Sequence, residues 1–281
     1  MSNSSKIDLN KLRQEGLKEI FSILEKAFEE AGIDFYYIIG ALARDIWFSK
    51  EGIVSRATKD IDFAALVAGK EQFEKVKEIL KRKHAFTESR GNAFALISPE
   101  GRTIDILPFG DIEVNEGVVV EGMGLSTIKV NGFKEVGIAG VEEIEIGSSQ
   151  YHVATLPSIV LLKLIAYDDR PEHRQNDAGD IAQIIGYYFD IEPDVFYEEH
   201  HDLLERIDEG HDVIAARVIG RQLIKVLTVN PQLKERVQAI LKTHMEEGDK
   251  SIFIQRMTKA LDGTIERSAS LLGEILKGIN E

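Results

Sequence analysis

The chain has 281 residues, 43% of them apolar and 29% charged, with no cysteine and a formal net charge of −14. That is enough chain to bury a core in one large domain or two small ones, and the missing cysteines exclude a disulfide framework, a thiolate nucleophile and a cysteine zinc site. The acidic excess argues against nonspecific nucleic-acid binding and favours a small substrate, a cationic one or a protein partner.

No apolar run approaches the ~18 residues of a membrane helix. The opening MSNSSKIDLNK has no apolar signal core, so a cytoplasmic location is expected. From Asp8 to Gly32, Leu9, Leu12, Ile20, Phe21, Leu24 and Phe28 recur at helical spacing, with Asp8 as N-cap and Gly32 as stop. Phe35 to Ile39 is a uniformly apolar run, predicted as a buried strand. Gly40 to Phe48 follows as a helix packing Leu42, Ile46 and Trp47, and Lys50 to Lys59 as a polar loop. Ile61 to Val67 is a second strand and Lys70 to Arg82 an amphipathic helix. Phe94 to Ile97 and Thr103 to Leu107, joined by Pro99-Glu100-Gly101, form a hairpin. Val118 to Val153, rich in Gly, Val and Ile, is expected to hold several short strands.

The character changes at Leu156-Pro157, where proline suits a first helical turn. Helices are predicted over Pro157 to Asp168, Asp177 to Tyr188, Asp194 to Arg206, Val213 to Val229, Pro231 to Met245 and Ser251 to Ile279, with Asn230-Pro231 a cap followed by proline. No solenoid repeat or low-complexity tract is evident. The expected layout is an α/β domain over 1–155, then a helical domain over 156–281.

The chemistry concentrates between Tyr36 and Asp62. Asp60 and Asp62, at i and i+2 on a strand, point to one face. Adjacent carboxylates repel unless a cation lies between them, and Mg²⁺ takes such oxygen ligands together with substrate phosphates. Asp105, mid-strand between Ile104 and Ile106, is costly there unless paired or metal-bound. The three on neighbouring strands would make a carboxylate metal site. Gly40 allows close backbone approach, and the helix after it offers its first amides to phosphate.

This order, glycine before a helix, Asp-x-Asp on a strand and a lone aspartate on a later strand, resembles the polymerase β-like nucleotidyltransferases. Leu156 to Ile185 further resembles the AbiEii-like branch, the nucleotidyltransferases of type IV toxin–antitoxin systems, whose lysine, arginine and Asp-x-x-Asp positions are matched by Lys163, Arg170, Asp177 and Asp180. The resemblance spans roughly residues 35 to 187. It implies an α+β fold: a nucleotidyltransferase-type mixed β-sheet with flanking helices, then a C-terminal helical bundle closing the nucleotide cleft. It also implies a Mg²⁺-dependent enzyme of two-metal type that moves an NMP from an NTP such as ATP to an acceptor hydroxyl of RNA, protein or a small molecule. Asp60, Asp62 and Asp105 are then catalytic and metal-binding, and Gly40, Ala41, Arg44, Lys163, Arg170, Asp177 and Asp180 contact the nucleotide. An antitoxin is an implied partner.

The chain departs from the family pattern at Ala41, where Ser or Gly is usual, and at Asn176, where Lys is usual. Those departures favour a rival reading, a nucleotide-binding or interaction protein with a degenerate site; the three aspartates argue against it. Lys163, Tyr167 and Arg170 share a helix face at i, i+4 and i+7, which suits a triphosphate, although pairing of Lys163 and Arg170 with Asp177 and Asp180 is an equally open reading. Arg44 either touches phosphate or pairs with an acidic neighbour. His200, His201 and His211 lack ligand spacing and are read as surface residues, Trp47 as core, and Asn3-Ser4-Ser5 as a glycosylation pattern without secretory context.

Overall fold

The structure is a computed structural model that describes residues 5–7, 16–54, 60–146 and 149–281. Asp8, Leu9, Leu12, the Asn3-Ser4 end of the glycosylation pattern and residues 55–59 of the polar loop lie outside the described residues. The architecture is the expected α+β one, in two compact units: Met1–Gly137 with Val141–Ala154, and Ile138–Gly140 with Thr155–Glu281. No helix among the described residues is long and apolar enough to cross a membrane.

Among the described residues, the first unit is built on an eight-stranded mixed sheet. In chain order it contains β1 (Ser5–Ile7), α1 (Leu17–Ala31), β2 (Tyr36–Ile39), α2 (Gly40–Phe48), β3 (Asp60–Val67), α3 (Lys70–His84), β4 (Thr87–Glu88), β5 (Ala95–Ile97) and β6 (Thr103–Gly110). The hairpin β7 (Gly117–Val119) and β8 (Thr127–Lys129), α4 (Phe133–Ala139), β9 (Val141–Ile146) and β10 (Ser149–Ala154) follow. The sheet order is β1-β9-β10-β2-β3-β6-β5-β4, with β7 and β8 forming a separate two-stranded ribbon.

Gly32, at φ 77°, ends α1 as read, its N–H bonding to the Glu29 carbonyl. The central strands β2, β3 and β6 owe their place to apolar side chains such as Ile38, Phe63 and Ile106 that are buried. On one face Phe63 of β3 meets Phe21 and Phe28 of α1 at 6.1 and 5.8 Å between ring centroids. Burying each such ring contributes roughly 1.5–3 kcal/mol. On the other face Tyr37 and Phe109 pack at 5.9 Å, and Phe133 of α4 covers Phe109 at 6.3 Å. Trp47 is core, as read, and its indole N–H donates to the Ala154 carbonyl at 2.7 Å. That second face carries the carboxylates at its other end.

The second unit contains α5 (Leu156–Asp169), α6 (Asp177–Ile191), α7 (His211–Leu227), α8 (Pro231–Glu247), α9 (Ile252–Leu261) and α10 (Ile265–Ile279). Thr155 caps α5, with Pro157 in its first turn, and Asn230 caps α8 through the Leu233 N–H at 3.2 Å. α7 and α10 cross where Gly220 and Gly278 let the backbones meet: a Cβ on either glycine would overlap the facing carbonyl.

Three expectations are corrected. The stretch Val118–Val153 holds a helix, α4, besides its strands. Asp194–Arg206 is not an α-helix but a π turn over Val195–Glu199 and a 3₁₀ segment over His201–Glu209. Acidic side chains crowd this run, and Asp202 is held by Arg221 of α7 at 2.7–2.8 Å, so tertiary ion pairs override local helix propensity. Ser251–Ile279 is two helices. Asp262 turns left-handed at φ 51° and Thr264 caps α10 by accepting from the Arg267 N–H.

Candidate active site

The geometry starts from the sheet ladder. Asp62 of β3 lies opposite Ile39 of β2 on one side and opposite Asp105 of β6 on the other, and Asp60 lies opposite Thr103. Residues directly across a ladder share a face, with Cβ atoms roughly 4.5–5.5 Å apart. Asp60, Asp62 and Asp105 therefore stand on one face of two neighbouring strands, Asp60 exposed and the other two half-buried.

The turn from β2 into α2 is fitted to this face. Gly40 has φ 69°, and a Cβ built there would overlap the Asp62 carboxylate. The backbone can pass so close only because the residue is glycine. No side chain among the described residues caps α2, whose N-terminal turn, including Ala41, begins beside Asp62. A helix start of this kind presents N–H groups and the positive end of its dipole.

Arg44 does not stand with these groups as an exposed cation. It is 2% exposed, and its Nε and Nη2 donate to Asp45 Oδ1 at 3.1 and 2.8 Å, with the Phe48 ring 5.8 Å from the guanidinium. Of the two readings for Arg44, the acidic neighbour is the one the structure displays. A residue absent from the sequence reading, Asn92, reaches the site instead: its Nδ2 donates to Asp105 Oδ1 at 3.1 Å. An isolated Asn in a polar Ser-Arg-Gly-Asn turn carries no motif, and only the fold brings it to β6.

Lys163 of α5 is 8% exposed and donates to Asp177 Oδ1 and Asp180 Oδ2 of α6, both at 2.7 Å. The three are thus brought together as an ion triad, with Lys163 and Asp177 buried and Asp180 half-buried. Asp177 Oδ2 is buried with no hydrogen-bond partner among the described residues. Tyr167 leaves the predicted basic face for the core, 4.8 Å from Phe253 and 5.8 Å from His244. Arg170 ends α5 and joins neither aspartate. Burial lowers its pKa and the neighbouring Arg174 adds to this, partly opposed by Asp169 and Glu172. His211 stacks on Phe189 at 4.2 Å, and His200 lies beside Arg221 and Gln222.

Among the described residues no three histidine or carboxylate side chains already converge as a metal cage. The donor chemistry of the β3–β6 face nonetheless fits a hard divalent cation: three carboxylates stand on it, and two of them lie directly across a ladder.

A family model described as nucleotidyl transferase AbiEii toxin, type IV toxin–antitoxin system, matches residues 46–267. That span begins after Gly40, Ala41 and Arg44 and extends past residue 187, where the sequence resemblance stopped, through the helices up to α10. No curated protein matches the chain. Among solved structures, it is similar to the antibiotic-resistance factor ANT(2'')-Ia, with 13% identity, a TM-score of 0.39, and 81% of this chain and 96% of that one covered. It is also similar to an antigenic nucleotidyltransferase-like protein from Paracoccidioides brasiliensis, with 14% identity, a TM-score of 0.37, and 64% and 77% covered.

Proposed function

The chain belongs to the AbiEii nucleotidyltransferase family of type IV toxin–antitoxin systems, and from that membership we propose that Asp60, Asp62 and Asp105 form the centre at which it transfers a nucleotide. The acceptor is a hydroxyl of RNA, protein or a small molecule, and an antitoxin restrains the activity. The observation that carries the assignment is the ladder register of Asp62 with Asp105, with Gly40 closed against Asp62.

In this reading the acceptor oxygen attacks the α-phosphorus in line, its proton passes toward Asp105, and pyrophosphate departs. Asp60, Asp62 and Asp105 would hold Mg²⁺, which when bound supplies charge stabilisation to the attacking and leaving oxygens. The α2 amides at Gly40 and Ala41 receive phosphate oxygens, a contact that depends on Gly40 having no side chain. Arg44 is buried and pairs with Asp45 within α2. In the second unit, Arg170, whose guanidinium makes no hydrogen bond among the described residues, is assigned as a nucleotide contact. Lys163, Asp177 and Asp180 form the charged group that orients nucleotide contacts there.

The test is to incubate the protein with Mg²⁺ and each α-labelled NTP in turn, offering total RNA, lysate protein and an aminoglycoside panel as acceptors, with Asp60→Ala as control. Label entering one pool and lost in the control supports the proposal and names the acceptor class. Measurable NTP binding with no label in any pool would instead favour the degenerate-site reading suggested by Ala41 and Asn176.

A further inference from the structure

Asp105 is not positioned by its strand alone. Its Oδ1 accepts from Asn92 Nδ2 at 3.1 Å, and Asn92 Oδ1 accepts in turn from the Phe94 N–H at 3.0 Å. The second bond fixes which end of the amide is which, so the donor faces the carboxylate. The turn carrying Asn92 is pinned by backbone on its other side. The Ala93 N–H donates to the Leu125 carbonyl at 2.8 Å and the Leu125 N–H donates to the Gly91 carbonyl at 3.0 Å. Gly124, at φ 75°, lies so close that a Cβ there would overlap the Gly91 backbone. Gly122 likewise has no room for a Cβ beside Ala93.

We propose that Asn92 is a positioning residue for transfer: clamped between Phe94 and the 122–125 segment, it holds one oxygen of Asp105 and thereby fixes the direction of the other. The inference rests on the assignment of Asp105 above and extends it to a residue outside the carboxylate set. It follows from the chemistry of a carboxylate, which swings about its last torsion unless one oxygen is tied. The tie from Asn92 is a side-chain amide, which orients the carboxylate without adding a charge of its own. The hairpin β7–β8 enters the same logic: Leu125 sits between its strands, so the hairpin buttresses the turn that orients the carboxylate.

Two substitutions separate positioning from support of the turn. Asn92→Ser retains a hydroxyl that can accept from the Phe94 N–H but cannot reach Asp105. Asn92→Asp retains the acceptor and sets a second carboxylate against Asp105. Label transfer from α-labelled NTPs into the acceptor pools described above, run beside Asp105→Asn and paired with melting curves, is the measurement. Loss of an orienting partner lowers kcat by about 10–100-fold, with KM for NTP and Tm close to the unsubstituted protein in at least one of the two variants.

Two results would overturn the inference. One is kcat unchanged in both Asn92 variants while Asp105→Asn is inactive, which leaves the Asp105 assignment standing. The other is a fall in Tm in both with kcat per folded molecule unchanged, which shows a role in the turn only. Transfer that survives in Asp105→Asn overturns the assignment and the inference together.

Discussion

Gly40 shows how much one residue decides. Its positive φ and the absence of a Cβ let α2 begin against the Asp62 carboxylate. Gly40→Ala places an L side chain in the left-handed region, at a cost of about 1–2 kcal/mol, and drives its methyl into Asp62. A lower Tm with transfer reduced far more than the stability loss explains is the expected outcome; transfer equal to that of the unsubstituted protein would show that the close approach does not matter. Lys163 makes a second residue-scale case. Lys163→Met removes the cation that bridges Asp177 and Asp180 and leaves the buried Asp177 carboxylate without it, a loss of about 3–5 kcal/mol that denaturant unfolding would measure. Asp-x-Asp and the glycine before a helix were legible from sequence because their spacing maps onto a strand and a turn. Asn92 was not, because its bond to Asp105 spans β5 and its turn, and neither residue sets the other's spacing. The pairing of Arg44 with its own neighbour was legible only as one of two options, since i,i+1 residues do not normally face each other on a helix.

At the scale of elements, the bounds of α2 and the hairpin of β5 and β6 follow from apolar runs and turn residues, and the structure keeps them. The misreadings share a cause in tertiary contacts or in caps. The break between α9 and α10 was written in Asp262-Gly263-Thr264, a left-handed stop followed by an N-cap. The irregular segment between α6 and α7 had no such local mark, because the ions that shape it come from α7 and α10. Glu274 of α10 is the clearest member of that network. Burial raises its pKa, but hydrogen bonds from Lys277, Arg206 and Arg217 outweigh this and hold it at about 2, against an ordinary value of 4.5. A folded pKa below the unfolded one contributes stability that is fully present above pH 4.5 and is lost as pH falls from 4.5 toward 2. Melting curves across that window should show Glu274→Gln less stable than the unsubstituted protein at pH 7, with the gap closing as acid is added. A gap that stays constant would show that the charge of Glu274 contributes nothing.

For the whole molecule, the carboxylates Asp60, Asp62 and Asp105 lie in the sheet unit, and the Lys163 triad and Arg170 lie in the helical unit. The boundary read at residue 155 rests on the change from short β runs to helical periodicity. The net charge of −14 constrains the reaction less than the sheet does: it bears on which acceptor approaches, whereas the register of Asp62 with Asp105 bears on what happens to it. The most direct measurement of the central claim is the turnover of label transfer by Asp62→Asn beside the unsubstituted protein, with Tm and NTP binding followed in the same samples. The proposal predicts that transfer falls by about 10³-fold or more, the scale on which removing a charged transition-state contact acts, while Tm is held or raised because a like-charge neighbour of Asp105 has been removed. Transfer at an undiminished rate by a folded Asp62→Asn protein would contradict it and place the chemistry elsewhere in the chain.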